Sequence, residues 1–312
     1  MRALVTGGAG FIGSHLVDAL LARGDEATVL DDLSTGREAN LSGALAAGAT
    51  LVRGDITDAD VVARVVGEAT PDAIFHLAAQ VDVRLSLADP GFDARTNIQG
   101  TINVLEAARG TGAGRVVFSS TGGAIYGDTS RLPTPETVEP LPMAAYGQSK
   151  FCAERYLGLY ARLYGLSTIA LRFGNVYGPR QDPHGEAGVI AIFCGRLLAG
   201  GRPRVFGDGT QTRDYIYVAD LVGALLAAGD TTAGGVVNIG TETETSVLEL
   251  LAGLRELHGP GSPEPEFAPA RTGEIERSCL DATRARELLG WTAGTSMTDG
   301  LRLTYESVAA RH

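Results

Sequence analysis

The sequence predicts an α/β protein in which a doubly wound parallel sheet is joined to a smaller C-terminal α/β domain. Short apolar runs alternate with longer segments of helical spacing in the first half of the chain, as in strand–helix–strand units. The first apolar run leads directly into a glycine-rich turn. After about Arg172 the alternation gives way to loops rich in Gly, Pro and Arg. We therefore expect two domains, over residues 1–171 and 172–312, with an approximate boundary across which segments can interleave.

The first element is a short apolar strand that runs into glycines and then into a helical pattern, within the opening sequence MRALVTGGAGFIGS. The glycines fit both GxxGxxG and GxGxxG spacing. A turn without Cβ atoms lets a pyrophosphate approach backbone N–H groups, and the helix N-terminus then faces the phosphates. This context predicts a Rossmann-type dinucleotide site that includes Gly7, Gly10, Phe11, Ile12 and Gly13.

The second apolar run, at residues 27–30, ends in two acids about 20 residues past the glycines. A carboxylate at this place binds the adenosine ribose hydroxyls and repels a 2′-phosphate, which favours NAD over NADP. Asp31 directly follows the strand and is the preferred candidate, but Asp32 could also serve. The turn that follows adds Ser34 and Thr35 to the predicted cofactor-binding residues.

The remaining apolar runs and helical patterns complete the predicted sheet and its two helical layers. Further strands are expected at 50–53, 73–76, 115–118 and 168–171, with helices at 60–68, 93–109 and 145–164. The C-terminal part shows helical patterns at 189–199, 218–228 and 247–257. An irregular loop at 132–142 and a Pro-rich surface connector at 259–266 are also expected.

Two sequence features point to proton chemistry. The strand at 115–118 runs into SSTGGAIYG, which puts hydroxyls at the carboxyl end of a central strand, where open α/β sheets bind ligands. Tyr146 and Lys150 have i, i+4 spacing and so share one face of a helix. An ammonium favours a neighbouring phenolate and lowers the phenol pKa from about 10 towards neutrality. We predict that Tyr146 is a base assisted by Lys150, with Thr121 as a hydrogen-bond partner of the reacting hydroxyl.

Composition narrows the function classes. The chain has 312 residues, of which 44% are hydrophobic and 20% charged, as in soluble α/β enzymes. A net charge of −11 argues against a nucleic-acid or anionic-membrane partner. Three cysteines without CxxC spacing and five scattered histidines indicate a reduced compartment and no metal site. No signal peptide or long apolar span is recognisable, so a cytoplasmic protein without membrane association is expected.

The motifs together resemble the extended short-chain dehydrogenase/reductase superfamily and, within it, the UDP-glucose 4-epimerase family. The resemblance covers essentially the whole chain. It rests on the glycine turn, HLAA at 76–79, NIQGT at 97–101, the hydroxyl-rich turn at 119–127, YGQSK at 146–150, RFGNVYGPRQ at 172–181, GDGTQTRD at 207–214 and RTGE at 271–274.

This resemblance implies a reaction and a cofactor site. The family uses tightly bound NAD to take hydride from the sugar C4, lets the 4-keto intermediate rotate, and returns hydride to its other face. Tyr146 would then take the 4-OH proton, Lys150 would bind the nicotinamide ribose and stabilise the phenolate, and Thr121 would orient the hydroxyl. Tyr146 is also implied as an NAD contact, and further contacts are implied at Asp55, Ile56, Leu77, Ala78, Ala79, Gln80, Asn97, Ser119 and Phe173.

The resemblance also implies a UDP-sugar site in the C-terminal domain. Asn175, Arg213 and Arg271 match positions that hold the UDP diphosphate, Glu274 one that takes a ribose hydroxyl, and Val189 lies among the implied substrate contacts. Ser278 stands at a position that gates room for the sugar substituent, and its small side chain suggests space for an N-acetyl group. Three arginines could reach a C6 carboxylate, which keeps UDP-glucuronate open as a substrate: Arg84, Arg180 and Arg196.

We therefore expect a UDP-hexose 4-epimerase acting on UDP-glucose and UDP-galactose, with UDP-N-acetylglucosamine and UDP-glucuronate as alternatives. A homodimer is expected to form through the helices at 93–109 and 145–164. Gly122 and Gly123 stand where related 4,6-dehydratases carry an Asp-Glu pair, which argues against dehydration, and Val81 stands where some relatives carry a lysine. The remaining rivals are a net oxidoreductase or dehydratase on a nucleotide sugar and a non-catalytic NAD sensor. The presence of both Tyr146 and Lys150 counts against the sensor.

Overall fold

The computed structural model describes residues 1–183, 188–270 and 275–311, in which twelve strands form three sheets. The strands are β1 (Arg2–Thr6), β2 (Glu26–Asp31), β3 (Thr50–Arg53), β4 (Ala73–His76), β5 (Arg115–Thr121), β6 (Thr168–Phe173), β7 (Asn175–Tyr177), β8 (Arg204–Phe206), β9 (Thr212–Tyr217), β10 (Gly235–Ile239), β11 (Glu244–Ser246) and β12 (Glu266–Ala268). The largest sheet has the order β10-β6-β5-β4-β1-β2-β3, and every neighbouring pair in it is parallel. The predicted doubly wound parallel sheet is confirmed.

Thirteen α-helices are found in the described residues. They are α1 (Phe11–Ala22), α2 (Ser42–Ala46), α3 (Ala59–Ala69), α4 (Val83–Ala88), α5 (Pro90–Ala94), α6 (Gly100–Thr111), α7 (Gly122–Ile125), α8 (Ala145–Tyr164), α9 (Val189–Leu198), α10 (Val218–Asp230), α11 (Val247–His258), α12 (Thr283–Leu289) and α13 (Met297–Ala309). The helix expected at 93–109 is instead α5, a π-helical segment at Arg95–Gln99, and α6. Segments of π-helix often occur at functional sites, and this one carries Asn97.

Two apolar layers cover the large sheet. On one face α1 and α10 bury residues such as Leu16 and Leu225 against strand residues that include Phe75. On the other face α3, α6 and α8 pack on a cluster that includes Ile74 and Val116. Adjacent strand residues thus point to opposite layers, which is why the parallel strands are apolar almost throughout.

The C-terminal part carries two small sheets, ordered β11-β9-β7 and β12-β8. Helices α9, α11 and α13 enclose a separate apolar cluster against β9. The large sheet takes its edge strand β10 from this part of the chain, where it pairs with β6. The division at residues 171 and 172 therefore stays a prediction, with β10 as an interleaved segment.

Among the described residues, no helix combines the length and the hydrophobicity that a bilayer crossing requires. The three cysteines are free thiols. The part of the chain that the structure describes holds no group of three or more His, Cys, Asp or Glu side chains arranged to bind a metal.

Candidate active site

The candidate site lies at the carboxyl edge of the large sheet. Because β1, β2, β4 and β5 are parallel, their C-terminal ends meet at the same edge. The glycine turn follows β1, Asp31 ends β2, and Leu77 follows β4. Thr121 ends β5. The fold thus brings together residues that are far apart in the sequence.

The turn after β1 has the geometry of an anion site. Gly7 has a left-handed φ of 71°, and the Gly10 N–H donates to the Gly7 carbonyl at 3.2 Å. A Cβ atom at Gly13 would collide with that same carbonyl oxygen. The N-terminus of α1 at Gly10 has no side-chain cap, and its first turn has no acidic residue. Its first N–H groups and its positive dipole end suit a pyrophosphate, so these residues fit a dinucleotide.

The two acids after β2 have different surroundings. Asp31 is buried, and its two oxygens accept hydrogen bonds from the N–H groups of Ala9 and Leu33, each at 2.9 Å. Asp32 is exposed and accepts from the backbone and hydroxyl of Ser34. Burial raises the pKa of Asp31, and the two backbone hydrogen bonds oppose that shift. Asp31 is fixed against the glycine turn, whereas Asp32 closes its own turn, so the geometry favours Asp31 as the ribose ligand.

The predicted catalytic residues lie together between β5 and α8. The Thr121 side chain lies close enough to the Tyr146 hydroxyl to lower its pKa by hydrogen bonding. The Tyr146 N–H donates to Ser86 Oγ at 3.1 Å, which ties the first turn of α8 to α4. Lys150 is only 3% exposed, and its Nζ donates to the Ser119 carbonyl at 2.8 Å. The ammonium also lies 4.7 Å from the centre of the Phe118 ring.

The acid–base state of this pair differs from the sequence-based expectation. Burial raises the pKa of Tyr146 to about 12, with the Thr121 hydrogen bond opposing the shift and the Asp93 charge adding to it. Burial lowers the pKa of Lys150 to about 7, with the charges of Asp93 and Glu154 opposing. The prediction that the chain itself brings the phenol pKa towards neutrality is therefore wrong. Desolvation disfavours both charged forms, and the interactions that oppose it do not offset it.

Asn97 and Gln80, both expected to contact NAD, are joined in a buried network. The Asn97 amide donates to the Gln80 carbonyl and to Ser149 Oγ, each at 3.0 Å, and the Gln80 N–H returns a bond to Asn97 Oδ1 at 2.9 Å. Ser149 Oγ in turn donates to the Tyr146 carbonyl at 3.0 Å. The network fixes the loop after β4 against the first turn of α8.

His76 supports this network through Thr101, and the sequence alone did not indicate that role. The Thr101 hydroxyl donates to the Asn97 carbonyl at 2.6 Å, so it accepts from His76 Nε2, which lies 3.0 Å away. The other ring nitrogen, Nδ1, lies 2.7 Å from Thr6 Oγ and accepts from it. Burial lowers the pKa of His76 to about 3, which keeps the ring neutral. Only the pairing of β4 with β1 brings Thr6 and His76 together.

The other expected cofactor residues lie in or directly after strands of the large sheet. Asp55 is exposed, and Ile56 is buried against Gly100. Ser119 donates its hydroxyl to the His76 carbonyl at 3.1 Å. Phe173 lies beside Thr121 in the β5–β6 register. The residues Leu77, Ala78 and Ala79 are half-buried in the loop after β4, and Thr35 is exposed in the turn after β2.

Four of the expected substrate residues come from the C-terminal part of the chain: Asn175, Val189, Arg213 and Ser278. Asn175 begins β7, and a Cβ on Gly123 would lie 3.2 Å from its Oδ1. Arg213 lies in β9, and its guanidinium donates to the Thr212 carbonyl at 2.8 Å. The Ser278 N–H donates to the same carbonyl at 3.2 Å. Val189 is the first residue of α9, and Arg84 lies in α4. Arg271 and Glu274 lie outside the described residues.

Comparisons with known proteins agree with this geometry. Residues 3–240 match the family described as the NAD dependent epimerase/dehydratase family. The chain is 48% identical to a UDP-glucose 4-epimerase of Mycolicibacterium smegmatis over 98% of both chains. Among solved structures it resembles the UDP-glucose 4-epimerase of Thermotoga maritima with UDP-glucose, at 46% identity and a TM-score of 0.96, covering 100% of this chain and 99% of that one. It also resembles the Thermus thermophilus UDP-glucose 4-epimerase complex with NAD, at 43% identity and a TM-score of 0.93, covering 99% of each chain.

Proposed function

The chain belongs to the NAD dependent epimerase/dehydratase family, and we propose that it interconverts UDP-glucose and UDP-galactose as a UDP-sugar 4-epimerase. The observation that carries the proposal is the position of Thr121, Tyr146 and Lys150 at the carboxyl edge of a sheet whose glycine turn fits a dinucleotide. Relatives at 48% and 46% identity, matched over nearly the whole chain, are UDP-glucose 4-epimerases.

NAD is held by the carboxyl edge of the large sheet. The uncapped N-terminus of α1 binds the pyrophosphate, Asp31 binds the adenosine ribose, and Lys150 binds the nicotinamide ribose. Bound at these residues, NAD would supply the hydride acceptor for the sugar C4 and the donor that returns hydride to the opposite face. We assign the remaining NAD contacts to Asp55, Ile56, the loop 77–80, Asn97, Ser119 and Phe173.

Tyr146 takes the proton of the sugar 4-OH, and Thr121 orients that hydroxyl. In the protein alone, a pKa of about 12 keeps the phenol protonated at neutral pH. The positive charges of the Lys150 ammonium and of an oxidised nicotinamide ring both favour the phenolate. The fraction of Tyr146 present as phenolate therefore depends on the ligand as well as on Lys150, which favours the reactive state in the loaded enzyme.

The UDP diphosphate is proposed to bind Asn175, Arg213 and Arg271, with Glu274 on the uridine ribose. Support comes from the half-buried position of Arg213 in β9, on the same side as Asn175 and Ser278. An Arg fork suits phosphate oxygens because its donors match their spacing.

A neutral hexose is favoured over UDP-glucuronate by the surroundings of one candidate arginine. Arg180 forms a 2.6 Å ion pair with Asp18 of α1, so it is already neutralised on the cofactor helix. Arg196 is exposed on α9. A dehydratase is disfavoured because α7 begins with Gly122 and Gly123, which carry no acid next to Thr121.

A cytoplasmic homodimer completes the proposal. The three free cysteines suit a reducing compartment. Helices α6 and α8 pack side by side, with the Tyr160 hydroxyl donating to Glu106 between them. Exposed apolar side chains lie on α8 and on the neighbouring α4 and α5, which supports burial against a second copy: Val83, Leu85, Leu87, Phe92, Leu163 and Tyr164.

The substrate assignment is tested by incubating the purified chain separately with UDP-glucose, UDP-N-acetylglucosamine and UDP-glucuronate. Anion-exchange chromatography and proton NMR then identify the products. We expect UDP-galactose from UDP-glucose, with a higher kcat/KM than for the other two sugars. A 4-keto-6-deoxy product, or preferred turnover of the glucuronate, would overturn the assignment.

A further inference from the structure

Asp93 is a buried acid beside the reacting pair, and the proposed reaction gives it no role. It lies in α5 and is only 1% exposed. Its Oδ1 accepts from the Gln80 amide at 2.9 Å and from the Asn97 amide at 3.1 Å. Its Oδ2 is buried and has no hydrogen-bond partner within residues 1–183, 188–270 and 275–311. A buried carboxylate with an unpaired oxygen is costly, so its retention needs a physical reason.

The groups that face Lys150 can be named from each element around it. From α8 itself come Tyr146 and Glu154, from α5 comes Asp93, from β4 comes the neutral His76, and from β5 comes the Phe118 ring. Glu154 is already neutralised, because the Arg172 guanidinium binds both of its oxygens at 2.9 and 2.6 Å. Asp93 is the other acid near Lys150. The Asn97 amide donates to Asp93 Oδ1 at 3.1 Å and to the hydroxyl of Ser149, which precedes Lys150 in α8, at 3.0 Å. A hydrogen-bonded path therefore joins the Asp93 carboxylate to the turn of α8 that carries Lys150, and its negative charge favours the ammonium.

We propose that Asp93 is a positioning residue that supplies the counter-charge for the Lys150 ammonium while its Oδ1 fixes Gln80 and Asn97. Its carboxylate favours the protonated amine that the buried site otherwise disfavours. The same charge opposes ionisation of Tyr146. Asp93 therefore sets the pH at which the pair passes from its resting to its reactive state.

The inference rests on the proposed function for its kinetic consequence only, because the Lys150 titration can be measured without turnover. Lys150 is the single lysine among the 312 residues. Lysine labelled with ¹³C at Cε therefore gives one side-chain resonance, whose shift with pH reports the Lys150 pKa in the full chain saturated with NAD.

The test compares Asp93→Asn with Asp89→Asn. The first variant deletes the buried charge and keeps an oxygen that can accept from Gln80 and Asn97. The control deletes an exposed charge from the cap of the same helix, where asparagine also caps well. We expect the Lys150 midpoint to fall by about one pH unit or more in Asp93→Asn and to stay at the wild-type value in Asp89→Asn. An equal midpoint in Asp93→Asn and wild type overturns the proposal.

Two further variants keep the proposal testable if Asp93→Asn does not fold, which far-UV circular dichroism would show. Asp93→Ser also removes the charge but has a smaller side chain, and it should lower the Lys150 midpoint in the same way. Asp93→Glu retains the charge and should leave the midpoint close to that of the wild type. A drop in Asp93→Glu as large as in Asp93→Ser would contradict a role for charge.

The kinetic measurement is the pH profile of epimerisation. Loss of the carboxylate lowers the pKa of both Tyr146 and Lys150, so the profile of Asp93→Asn should move to lower pH. A merely structural residue would lower the rate at every pH without moving the profile. If the wild type turns over UDP-glucose but the Lys150 midpoint is unmoved, the proposed function stands and this inference fails. If the Lys150 midpoint moves and no epimerase turnover is found, this inference stands and the proposed function fails.

Discussion

At Tyr146, burial and the charge of Asp93 both favour the protonated phenol. Desolvation raises the pKa of its phenol to about 12, and the nearby Thr121 side chain opposes that rise. A phenol that stays protonated in the unloaded protein cannot accept a proton until a nearby positive charge favours the phenolate. The nearby Lys150, with its pKa lowered to about 7, can exchange a proton at physiological pH.

We predict that Tyr146→Phe lowers the kcat for UDP-galactose by about 10²–10⁴-fold, because the variant keeps the ring and loses the proton acceptor. NAD binding should stay near the wild-type level. Tyr156→Phe is the matched control on the same helix, and its kcat should be unchanged, since Tyr156 packs on the apolar side of the sheet. A Tyr146→Phe variant within about tenfold of wild type would remove Tyr146 from the role of base.

At the scale of elements, the turn between β1 and α1 depends on the absence of a side chain. Gly13 stands so close to the Gly7 carbonyl that an added Cβ must displace the turn. The buried Arg172–Glu154 pair has a comparable role between β6 and α8, where both side chains are at most 4% exposed. Each of these contacts fixes a segment that carries site residues.

We expect Gly13→Ala to weaken NAD binding by tenfold or more and to lower the thermal unfolding midpoint, because the backbone must move where the pyrophosphate binds. Isothermal titration calorimetry and thermal unfolding measure the two effects. Gly67→Ala is the control, since it lies within α3 with open space around it. That change should stabilise the protein by about 0.5–1 kcal/mol. Wild-type NAD affinity in Gly13→Ala would refute the assigned phosphate site.

Arg172→Met should lower the free energy of unfolding by about 3–5 kcal/mol, because it leaves the Glu154 carboxylate buried and unpaired. Urea unfolding at pH 7 measures the change. Arg204→Met breaks the exposed pair with Glu266 and should change stability by at most about 1 kcal/mol. The double variant Arg172→Met, Glu154→Leu should recover a large part of the loss. Equal losses of stability in Arg172→Met and Arg204→Met would mean that burial does not determine how much the Arg172–Glu154 pair contributes to stability.

At the scale of the whole molecule, the large sheet was predictable and the small sheets were not. The strands at 50–53 and 73–76 and the helix at 145–164 lie where the apolar runs and the helical spacing put them. Buried parallel strands read as continuous apolar runs. Strands such as β7, β8 and β12 have three residues each, which is too short for a periodic pattern.

The site shows the same division. The glycine turn, the Tyr146–Lys150 spacing and Thr121 are local patterns that a sequence displays. The pKa directions were not predictable, because burial depth depends on packing between β5, α5 and α8. Asp93 and His76 have their roles only through residues far along the chain, such as Lys150 and Thr6.

The proposed homodimer predicts a solution mass of about twice 32.4 kDa by light scattering coupled to gel filtration. Leu163→Glu places a charge on the exposed apolar surface of α8 and should shift the mass towards that of one chain. Leu141→Glu changes a similarly exposed leucine in the loop before α8 and should leave the dimer intact. A wild-type mass of one chain would contradict the dimer.

The most direct test of the central claim is the fate of the hydrogen at the sugar C4. UDP-galactose carrying deuterium at C4 is incubated with the purified chain and NAD, and the UDP-glucose formed is analysed by mass spectrometry and proton NMR. Hydride removal and return within one site predicts that the deuterium stays at C4 of the product, with no net change in absorbance at 340 nm. Loss of the deuterium to water, or accumulation of reduced cofactor in step with product, would contradict the account.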